Sequence, residues 1–358
     1  MGQSPDSDSY NDNEDGIPFF QGNADFGEKY PTTRKWCNAP TKIAHAEDIL
    51  ISVRAPIGAL NYAKEECCIG RGLAAITPNQ DKVSSGFIYW LLKGKHKELN
   101  LQGTGSTFKA ISRKVLEEIK VPDIELKKQT ELAGSLEKVY SVIQLRKQQL
   151  EELDILIKAR FVEMFGTLQN PALEFKRDAL KNLCFKITDG KHGGCKAEEG
   201  TERYFVGARE IYDDEIHYDT APEINVDEFE KDYKRCNVEI GDFLIVNTGA
   251  TIGKSAIAMD ERTTHTLLQK SVALLKIDPE VLNPVFLKWC YRVNTSMYMV
   301  ESASAQPNLL LSKINVTEIY VPDLELQNQF ADFVIQVDKL KVEVQKSLDE
   351  MQILFDSL

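Results

Sequence analysis

Short apolar runs and helical patterns alternate along most of this chain. The runs "DILISV" (48–53) and "DFLIVN" (242–247) are rich in β-branched residues and lie between turn-forming residues, and "GRGLAAI" (70–76) and "KSVALLKI" (270–277) resemble them. Runs of this kind predict strands. The segments "SGFIYWLLKG" (85–94) and "PVFLKWCYRV" (284–293) carry apolar residues at helical spacing and predict short helices. The sequence therefore predicts domains of the mixed α/β class (α+β), in which strands, turns and a few helices alternate.

Two other stretches carry a heptad pattern, which predicts coiled-coil helices about 45–50 Å long at 1.5 Å per residue. In the first, the apolar positions are Leu132, Leu136, Val139, Ile143, Leu150, Leu153 and Ile157, with Arg146 and Arg160 as interruptions. In the second, they are Phe330, Val334, Val337, Val344, Leu348, Met351 and Phe355, with Lys341 as the interruption. The helices either pair with each other or pack on their own domains. Their matching registers favour an antiparallel pair with the domains at opposite ends.

The hexapeptide "VPDIEL" (121–126) returns as "VPDLEL" 200 residues later (321–326). The repeat extends upstream, where "STFKAISRKVLEEIKVPD" (106–123) aligns with "QPNLLLSKINVTEIYVPD" (306–323) and pairs Lys109 with Leu309. It continues in "FIYWLL" and "FLKWCY", and in "EDILISVRAPIG" and "GDFLIVNTGATIG". A repeat of this length predicts two copies of a domain, each followed by a helix. Because proline disfavours helix in the residue before it, each hexapeptide marks the junction between domain and helix.

The two copies differ at their beginnings. The second copy has "EFKRDALKNLCFKIT" (174–188) ahead of Asp189 and Gly190, and the first copy has no counterpart ahead of Met1 and Gly2. We therefore expect the first domain to lack a strand or helix, to leave one sheet edge unpaired, and to be less stable than the second.

Composition narrows the class of protein. The 42% hydrophobic content of the 358 residues suits globular domains, and no apolar run is long enough to span a membrane. The polar, acidic N-terminus does not resemble a signal peptide. Seven cysteines without a CxxC pair are typical of reduced thiols in a cytoplasmic protein. The net charge of −12 argues against broad non-specific binding of nucleic acid but leaves room for a local basic face.

Two motifs imitate catalytic sites. "TGATIGKS" (248–255) resembles a phosphate-binding loop but has Thr248 where glycine is needed, so we expect a turn with Gly253, or Gly58 in the first copy, at a tight bend. "TDGKHGGC" (188–195) holds Asp189, His192 and Cys195 but lacks the further ligands of a zinc site, so we expect a glycine-rich surface loop. The sequence predicts no catalytic residues and no metal site.

Loops that combine basic, amide and hydroxyl side chains are candidates for DNA contact. Arginine and lysine can read guanine edges or hold phosphates, and asparagine and glutamine can read adenine edges. Each residue alone is more often a solvated surface group, so the prediction depends on the whole set and on its divergence between the copies. The candidates are Arg34, Lys35, Arg54, Arg71, Ser106, Thr107, Lys109, Lys191, Asn247, Lys254, Lys270, Gln306 and Asn308.

With its repeated domain, its two proline junctions and its two heptad helices, the chain resembles the DNA-specificity subunit of type I restriction–modification systems. The resemblance is carried by "GQSPDSDSYNDNEDGIPFFQGNADFG", "DILISVRAPIG", "QPNLLLSKI" and the two proline junctions, and it covers essentially the whole chain. It implies target-recognition domains at 1–121 and 167–321. It also implies coiled-coil helices at 122–166 and 322–358, in a pseudo-two-fold arrangement.

The resemblance also implies a function. Each domain would read one half of a bipartite site in double-stranded DNA, and the coiled coil would set the gap and dock two methyltransferase subunits. S-adenosylmethionine would belong to those subunits, and ATP and magnesium to any endonuclease subunit that joins. A different class remains open, namely a coiled-coil scaffold with two protein-binding domains and no role on DNA. An enzyme that uses "TGATIGKS" is a third possibility.

Overall fold

The computed structural model describes residues 1–105, 109–298 and 308–357 of the chain. The chain divides into two compact units. Unit 1 comprises Met1–Leu145 together with the C-terminal residues from Asp349, and unit 2 comprises Arg146–Leu348. Each unit mixes short strands with helices and has its own hydrophobic core.

Unit 1 contains a five-stranded and a three-stranded sheet within its described residues. Its strands are β1 (Tyr10–Asn11), β2 (Ile17–Phe20), β3 (Trp36–Cys37), β4 (Ile43–Ala44), β5 (Ile49–Ser52), β6 (Leu60–Tyr62), β7 (Cys67–Ile69) and β8 (Leu73–Ile76). Its helices are α1 (Ser85–Gly94), α2 (His96–Leu101), α3 (Arg113–Glu117) and the first half of α4 (Leu126–Phe165). The sheet orders are β1-β3-β2-β7-β4, in which β2 and β7 are parallel, and the antiparallel β6-β5-β8.

The core of unit 1 lies between the β6-β5-β8 sheet and α1. Ile49 and Ile51 of β5 are fully buried and pack in one cluster with Phe87 and Trp90 of α1. The bounds of α1 coincide with the helix predicted from the spacing of its apolar residues. The first half of α4 closes this core with Ala133.

Unit 2 has a four-stranded antiparallel sheet of order β10-β17-β14-β15. Its strands are β9 (Lys176–Ala179), β10 (Cys184–Asp189), β11 (Tyr204–Val206), β12 (Ile211–Tyr212), β13 (Glu215–Ile216), β14 (Phe243–Val246), β15 (Ser255–Ile257), β16 (Thr266–Leu268), β17 (Val272–Ile277) and β18 (Glu318–Val321). Its helices are α5 (Leu180–Leu183), α6 (Val226–Tyr233), α7 (Pro284–Val293), α8 (Leu311–Val316), the second half of α4 and most of α9 (Leu324–Ser357). Two-stranded pairs join β11 with β16 in parallel, β12 with β13, and β9 with β18.

The core of unit 2 is aromatic where the long helices meet the sheet. Phe161 and Phe165 of α4, Phe286 of α7 and Phe330 of α9 are fully buried, with neighbouring ring centroids 4.9–5.7 Å apart. Buried aromatic pairs at these distances add to the free energy gained from burying apolar area. Asn283 caps α7 by accepting from the Val285 N–H at 2.8 Å, which explains why the helix begins at Pro284.

Strands β9, β10 and β18 of unit 2 have no strand as counterpart in the described part of unit 1. Strand β17 pairs with both β14 and β10, whereas the equivalent β8 pairs with β5 alone. Strand β18 pairs with β9, and Ile319 on β18 is fully buried, while Ile119 at the same place in unit 1 is only partly buried. The unpaired sheet edge expected from the repeat and the lower stability of unit 1 both stay predictions.

The long helices pack against each other in antiparallel fashion inside unit 2. Phe161 contacts Phe330, and further along α4 towards its start Asp154 pairs with Lys341 at 2.9 Å. This ion pair accounts for the lysine that interrupts the second heptad pattern. Arg160, which interrupts the first, lies over the Phe333 ring at 6.0 Å. In the described part of the chain, neither these helices nor any other has the length and unbroken apolar character of a membrane-spanning segment.

The long helices also contact the core of unit 1. Tyr140 of α4 and Phe355 of α9 pack edge-to-face on Trp90 of α1, at 5.3 and 5.5 Å between ring centroids. Lys93 lies 3.5 Å from the centroid of the Tyr140 ring and 4.9 Å from that of Trp90. The structure thus combines both interpretations of the heptads, because the helices pack on domain cores as well as on each other.

A buried glutamine fixes the start of each long helix. Gln327 donates from its amide to the Pro322 and Val281 oxygens (2.7 and 3.0 Å) and accepts from the Asn283 N–H (2.8 Å). It is fully buried. The amide therefore joins the proline junction, the first turn of α9 and the segment leading into α7.

Gln129 has the same role in unit 1. It donates to the Ile124 oxygen (2.7 Å) and accepts from the Ser84 N–H (2.9 Å), just ahead of α1. Its exposed fraction is 2%. Each domain is thus attached to its long helix by hydrogen bonds from one buried side chain.

We expect Gln327→Leu and Gln129→Leu each to lower the free energy of unfolding by about 1–3 kcal/mol, because buried backbone groups lose their partners. Gln148→Leu is the matched control, since Gln148 is exposed on α4 and its side-chain amide donates to Glu152, another exposed residue of the same helix. Urea denaturation followed by circular dichroism measures the difference. A loss no larger than that of the control would contradict this role.

Candidate nucleic-acid interface

A β-turn at the end of two parallel strands organises the candidate site of unit 2. Strand β11 ends at Val206, and the Gln269 N–H donates to the Val206 oxygen at 2.8 Å. The Val272 N–H then donates to the Gln269 oxygen at 2.9 Å, which closes a four-residue turn. Lys270 and Ser271 are its central residues, and Lys270 is exposed.

Two further loops meet at this turn. The Asn247 N–H donates to the Ser271 oxygen at 3.0 Å, and the Leu309 N–H donates to the Asn247 oxygen at 2.7 Å. Thr248 and Asn308 form an isolated antiparallel bridge beside them. The backbone thereby brings the loop after β14 and the loop ahead of α8 to one place.

The glycine-rich loop after β10 also joins the turn. The Lys191 N–H donates to the Leu268 oxygen at 2.7 Å, and the Lys270 N–H donates to the Lys191 oxygen at 2.9 Å. A Cβ at Gly190 would lie 2.1 Å from the Leu268 oxygen, so only glycine fits this close approach.

Unit 1 repeats the turn with the same hydrogen bonds. Strand β2 ends at Phe20, the Gly70 N–H donates to the Phe20 oxygen (2.8 Å), and the Leu73 N–H donates to the Gly70 oxygen (3.0 Å). Arg71 and Gly72 are the central residues, and Arg71 is exposed.

The neighbouring loops of unit 1 also match those of unit 2. The Val53 N–H donates to the Gly72 oxygen and the Ile111 N–H donates to the Val53 oxygen, both at 2.9 Å. Arg54 and Ala110 form the equivalent bridge. The repeat inferred from sequence is therefore a repeat of backbone geometry.

These hydrogen bonds correct one detail of the sequence alignment, which was wrong by two residues. The alignment pairs Lys109 with Leu309, whereas the structure pairs Ile111 with Leu309, and both of those apolar side chains are buried. The error arises because Val321 follows Leu309 by two residues more than Val121 follows Ile111. The counterpart of Lys109 is residue 307, which lies outside the described residues.

The structure brings together most of the candidates of unit 2. Around the turn lie Lys191, Asn247, Lys254, Lys270 and Asn308. Lys254, Lys270 and Asn308 are exposed, and Asn247 is 4% exposed. Within the described residues, the ammonium groups of Lys254 and Lys270 have no ion-pair or hydrogen-bond partner.

Lys191 differs from the other lysines because its charge is neutralised. Its ammonium group lies 2.7 Å from Asp232 and 3.4 Å from Glu228. The hydrogen bond to Asp232 raises the pKa of Lys191 above its usual value. This lysine is positioned to hold the glycine-rich loop on α6 rather than to offer a free cation.

In unit 1 the structure brings together Arg54, Arg71 and Lys109, all exposed. The Lys109 oxygen accepts from the Ala55 N–H at 3.1 Å, which places this lysine beside Arg54. Arg34 and Lys35 are exposed ahead of β3, in the five-stranded sheet that also holds β2 and β7. The Phe19 N–H of β2 donates to the Lys35 oxygen at 2.8 Å, which places Lys35 one residue from the Phe20 oxygen that accepts from the turn. Ser106, Thr107 and Gln306 lie outside the described residues.

The sequence did not single out Arg209, which is exposed next to the same turn. Its neighbour Ala208 donates from its N–H to the Ser271 hydroxyl at 3.2 Å. Arg209 follows β11, and the sequence repeat did not extend to this segment because β11 and β2 share almost no residues. Their equivalence is visible only in the structure, where each pairs in parallel with the strand that leads into the turn.

Neither imitation motif forms a catalytic site in the described structure. "TGATIGKS" is the hairpin between β14 and β15, so a strand follows it where a phosphate-binding loop needs a helix. Gly253 and Gly58 have φ of +97° and +89°, which confirms the predicted tight bends.

"TDGKHGGC" is a surface loop held by ion pairs. Asp189 accepts from Arg235 at 2.5 Å and lies 3.5 Å from His192. Burial raises the pKa of the Cys195 thiol, which is the opposite of what an activated nucleophile requires. Among the described residues, no group of three or more histidine, cysteine and carboxylate side chains is placed to hold a metal ion.

The chain matches the family described as "Type I restriction modification DNA specificity domain" over residues 1–154 and again over 185–350. It belongs to that family.

Two curated relatives are named as specificity subunits. The "Putative type I restriction enzyme MjaX specificity subunit" of Methanocaldococcus jannaschii is 43% identical over 154 residues, which are 43% of this chain and 36% of that protein. The "Type I restriction enzyme EcoBI specificity subunit" of Escherichia coli is 21% identical over 352 residues, 88% of this chain and 72% of that protein.

A solved structure shows the same fold. The crystal structure of the type I restriction–modification S subunit from M. genitalium matches with a TM-score of 0.58 at 16% identity. The match covers 99% of this chain and 90% of that one. The predicted mixed α/β fold with two repeated domains and two long helices is confirmed.

We expect the native Cys195 thiol to react with iodoacetamide more slowly at pH 7 than it does in the same protein unfolded in urea. Its raised pKa leaves less thiolate at this pH, and thiolate is the reacting form. Peptide mass spectrometry after timed alkylation measures both rates. A faster reaction in the native protein would reveal an activated thiol and reopen the enzymatic interpretation.

Proposed function

We propose that this chain is the sequence-reading subunit of a type I restriction–modification complex. Each unit reads one half of a bipartite site in double-stranded DNA through the loops around its β-turn. The long helices fix the spacing between the halves. The chain itself carries out no chemistry.

The repeated backbone scaffold with divergent side chains is the observation that carries this proposal. The same hydrogen bonds hold the loops in both units, yet Arg54 stands where unit 2 has Thr248, and Ala110 stands where it has Asn308. Base edges are read by side-chain donors and acceptors, and each base pair shows a distinct pattern in the major groove. One scaffold with different readers suits two half-sites of different sequence.

The net charge of −12 fits a subunit that binds DNA within a complex. Non-specific affinity depends on the number of phosphates that cations neutralise. Exposed cations without an ion-pair partner in the described structure lie at both turns, so this chain supplies local contacts, and the complex supplies the remaining basic surface.

We assign the outer faces of the long helices to the methyltransferase subunits. Large apolar side chains are exposed there, although soluble helices usually keep such residues inside. They are Leu145, Ile155 and Leu156 on α4 and Ile335, Leu340, Val342 and Ile353 on α9. A helix face exposed to solvent is usually polar, so an apolar face of this kind indicates a surface that a partner protein covers.

The chemistry in this assignment belongs to the partners. Two methyltransferase subunits bring S-adenosylmethionine and flip the target adenine out of the duplex. An endonuclease subunit, where present, brings ATP and magnesium. The assembly works in the cytoplasm, where its DNA is.

A map of methylated adenines in the native host, with and without this gene, tests the proposal. Deletion should abolish methylation at one bipartite motif and leave other motifs unchanged, because target choice depends on this chain. An unchanged map would contradict the proposal and favour the protein-binding scaffold.

Replacement of Lys109 by alanine tests the division between the units. We expect binding to a duplex that retains only the first half-site to weaken by roughly 5- to 150-fold, the effect of losing one good base contact. Binding to a duplex that retains only the second half-site should not change. Lys82→Ala is the matched control, since Lys82 is exposed in unit 1 beyond the far end of β8. Unchanged binding to both duplexes would remove Lys109 from the site.

A further inference from the structure

One position carries a free cation in both units. Arg71 and Lys270 occupy the second residue of the equivalent β-turns, and both are exposed. In the described part of the chain, neither the guanidinium nor the ammonium group has an ion-pair or hydrogen-bond partner. The exposed cation is therefore common to the two repeats, although the side chains around it are not.

The other positions of the site change chemistry between the units. By their backbone hydrogen bonds, Arg54 of unit 1 is equivalent to Thr248 of unit 2, and Val53 is equivalent to Asn247. Ala59, which follows Gly58, corresponds to Lys254, which follows Gly253. These are changes of charge or of hydrogen-bonding capacity, not conservative replacements.

The two kinds of position fit the two kinds of DNA contact. Contacts to phosphate fix the orientation of a protein on the duplex and carry no sequence information directly, so they can be the same in both units. Contacts to base edges must differ when the half-sites differ. A cation that is retained among changing neighbours therefore fits the phosphate backbone.

The turns are built to hold this cation in a fixed place. A Cβ at Gly72 would lie 2.3 Å from the Gln21 oxygen, so the turn of unit 1 sits directly on the loop after β2. A Cβ at Gly207 would lie 2.5 Å from the Gln269 side chain, so the turn of unit 2 is held on the loop after β11. In each unit the strand-end hydrogen bonds fix the same backbone orientation.

We propose that Arg71 and Lys270 are the equivalent phosphate anchors of the two units, each gripping the DNA backbone beside its half-site without reading sequence. The proposal rests on the proposed function. Arg54 in unit 1 and Asn308 in unit 2 lie beside the anchors and are assigned to base reading.

The salt dependence of DNA binding tests this assignment. The assembled complex, with this chain complete, is titrated with a duplex bearing the methylated motif and with a scrambled duplex, over a series of KCl concentrations. Each phosphate contact contributes about 0.9 to the slope of log K against log salt. We expect Arg71→Ala and Lys270→Ala each to reduce the slope by about 0.9 and the double variant by about 1.8. The relative loss of affinity should be the same on both duplexes.

Three further variants separate an anchor from a base-reading residue and from any other surface cation. Arg54→Ala should weaken binding to the motif duplex while leaving the scrambled duplex unchanged. Arg71→Lys should keep the wild-type slope, because a phosphate contact needs the charge rather than the planar guanidinium group. Lys82→Ala should change nothing.

The results also distinguish failure of this inference from failure of the proposed function. An unchanged slope in both anchor variants would overturn the anchors, and so would a loss confined to the motif duplex. If the wild-type complex does not prefer the motif duplex, the proposed function itself fails.

Discussion

One buried amide at each domain junction holds the architecture together. Gln129 and Gln327 are each placed where a proline ends the domain and a long helix begins, and each bonds to backbone on both sides of that break. A proline junction alone would act as a hinge, since no helical hydrogen bond crosses it. The amide stiffens this hinge because a buried polar side chain must keep its partners or leave them unsatisfied. The direction of each helix is therefore fixed by its own domain.

The rigid backbone determines what a change of side chain in the loops can do. The strands and the turn keep the same backbone hydrogen bonds in both units, so a change of side chain alters what is presented without altering where it is presented. Arg54 and Thr248 are an example, as they occupy equivalent isolated bridges in the two units. A scaffold of this kind can take new specificity by substitution in its loops, since the core between sheet and helix is not involved.

The sequence was sufficient for the helices and for the longer apolar strands, and insufficient for the short strands and for the way the elements assemble. Apolar periodicity predicted α1 and α7 to the residue, because burial decides both helices. The Lys109 alignment was wrong by two residues because hydrogen bonds, not side-chain identity, define the correspondence in a loop. Likewise, the ion pairs that neutralise Lys191 join residues 37 and 41 positions apart in the chain, which no local pattern reveals. The sequence did not predict β2, which pairs in parallel with β7, or β11, which pairs in parallel with β16, because both strands are short and the two segments share few residues.

Hydroxyl-radical footprinting of the assembled complex on a duplex with the methylated motif tests the central claim most directly. Two units that each hold one half-site should protect two separate tracts of backbone, with an exposed gap between them. Substituting the bases of one half-site should release only its own tract. A single continuous tract, or the loss of both tracts when one half-site is changed, would contradict the account of two independent readers.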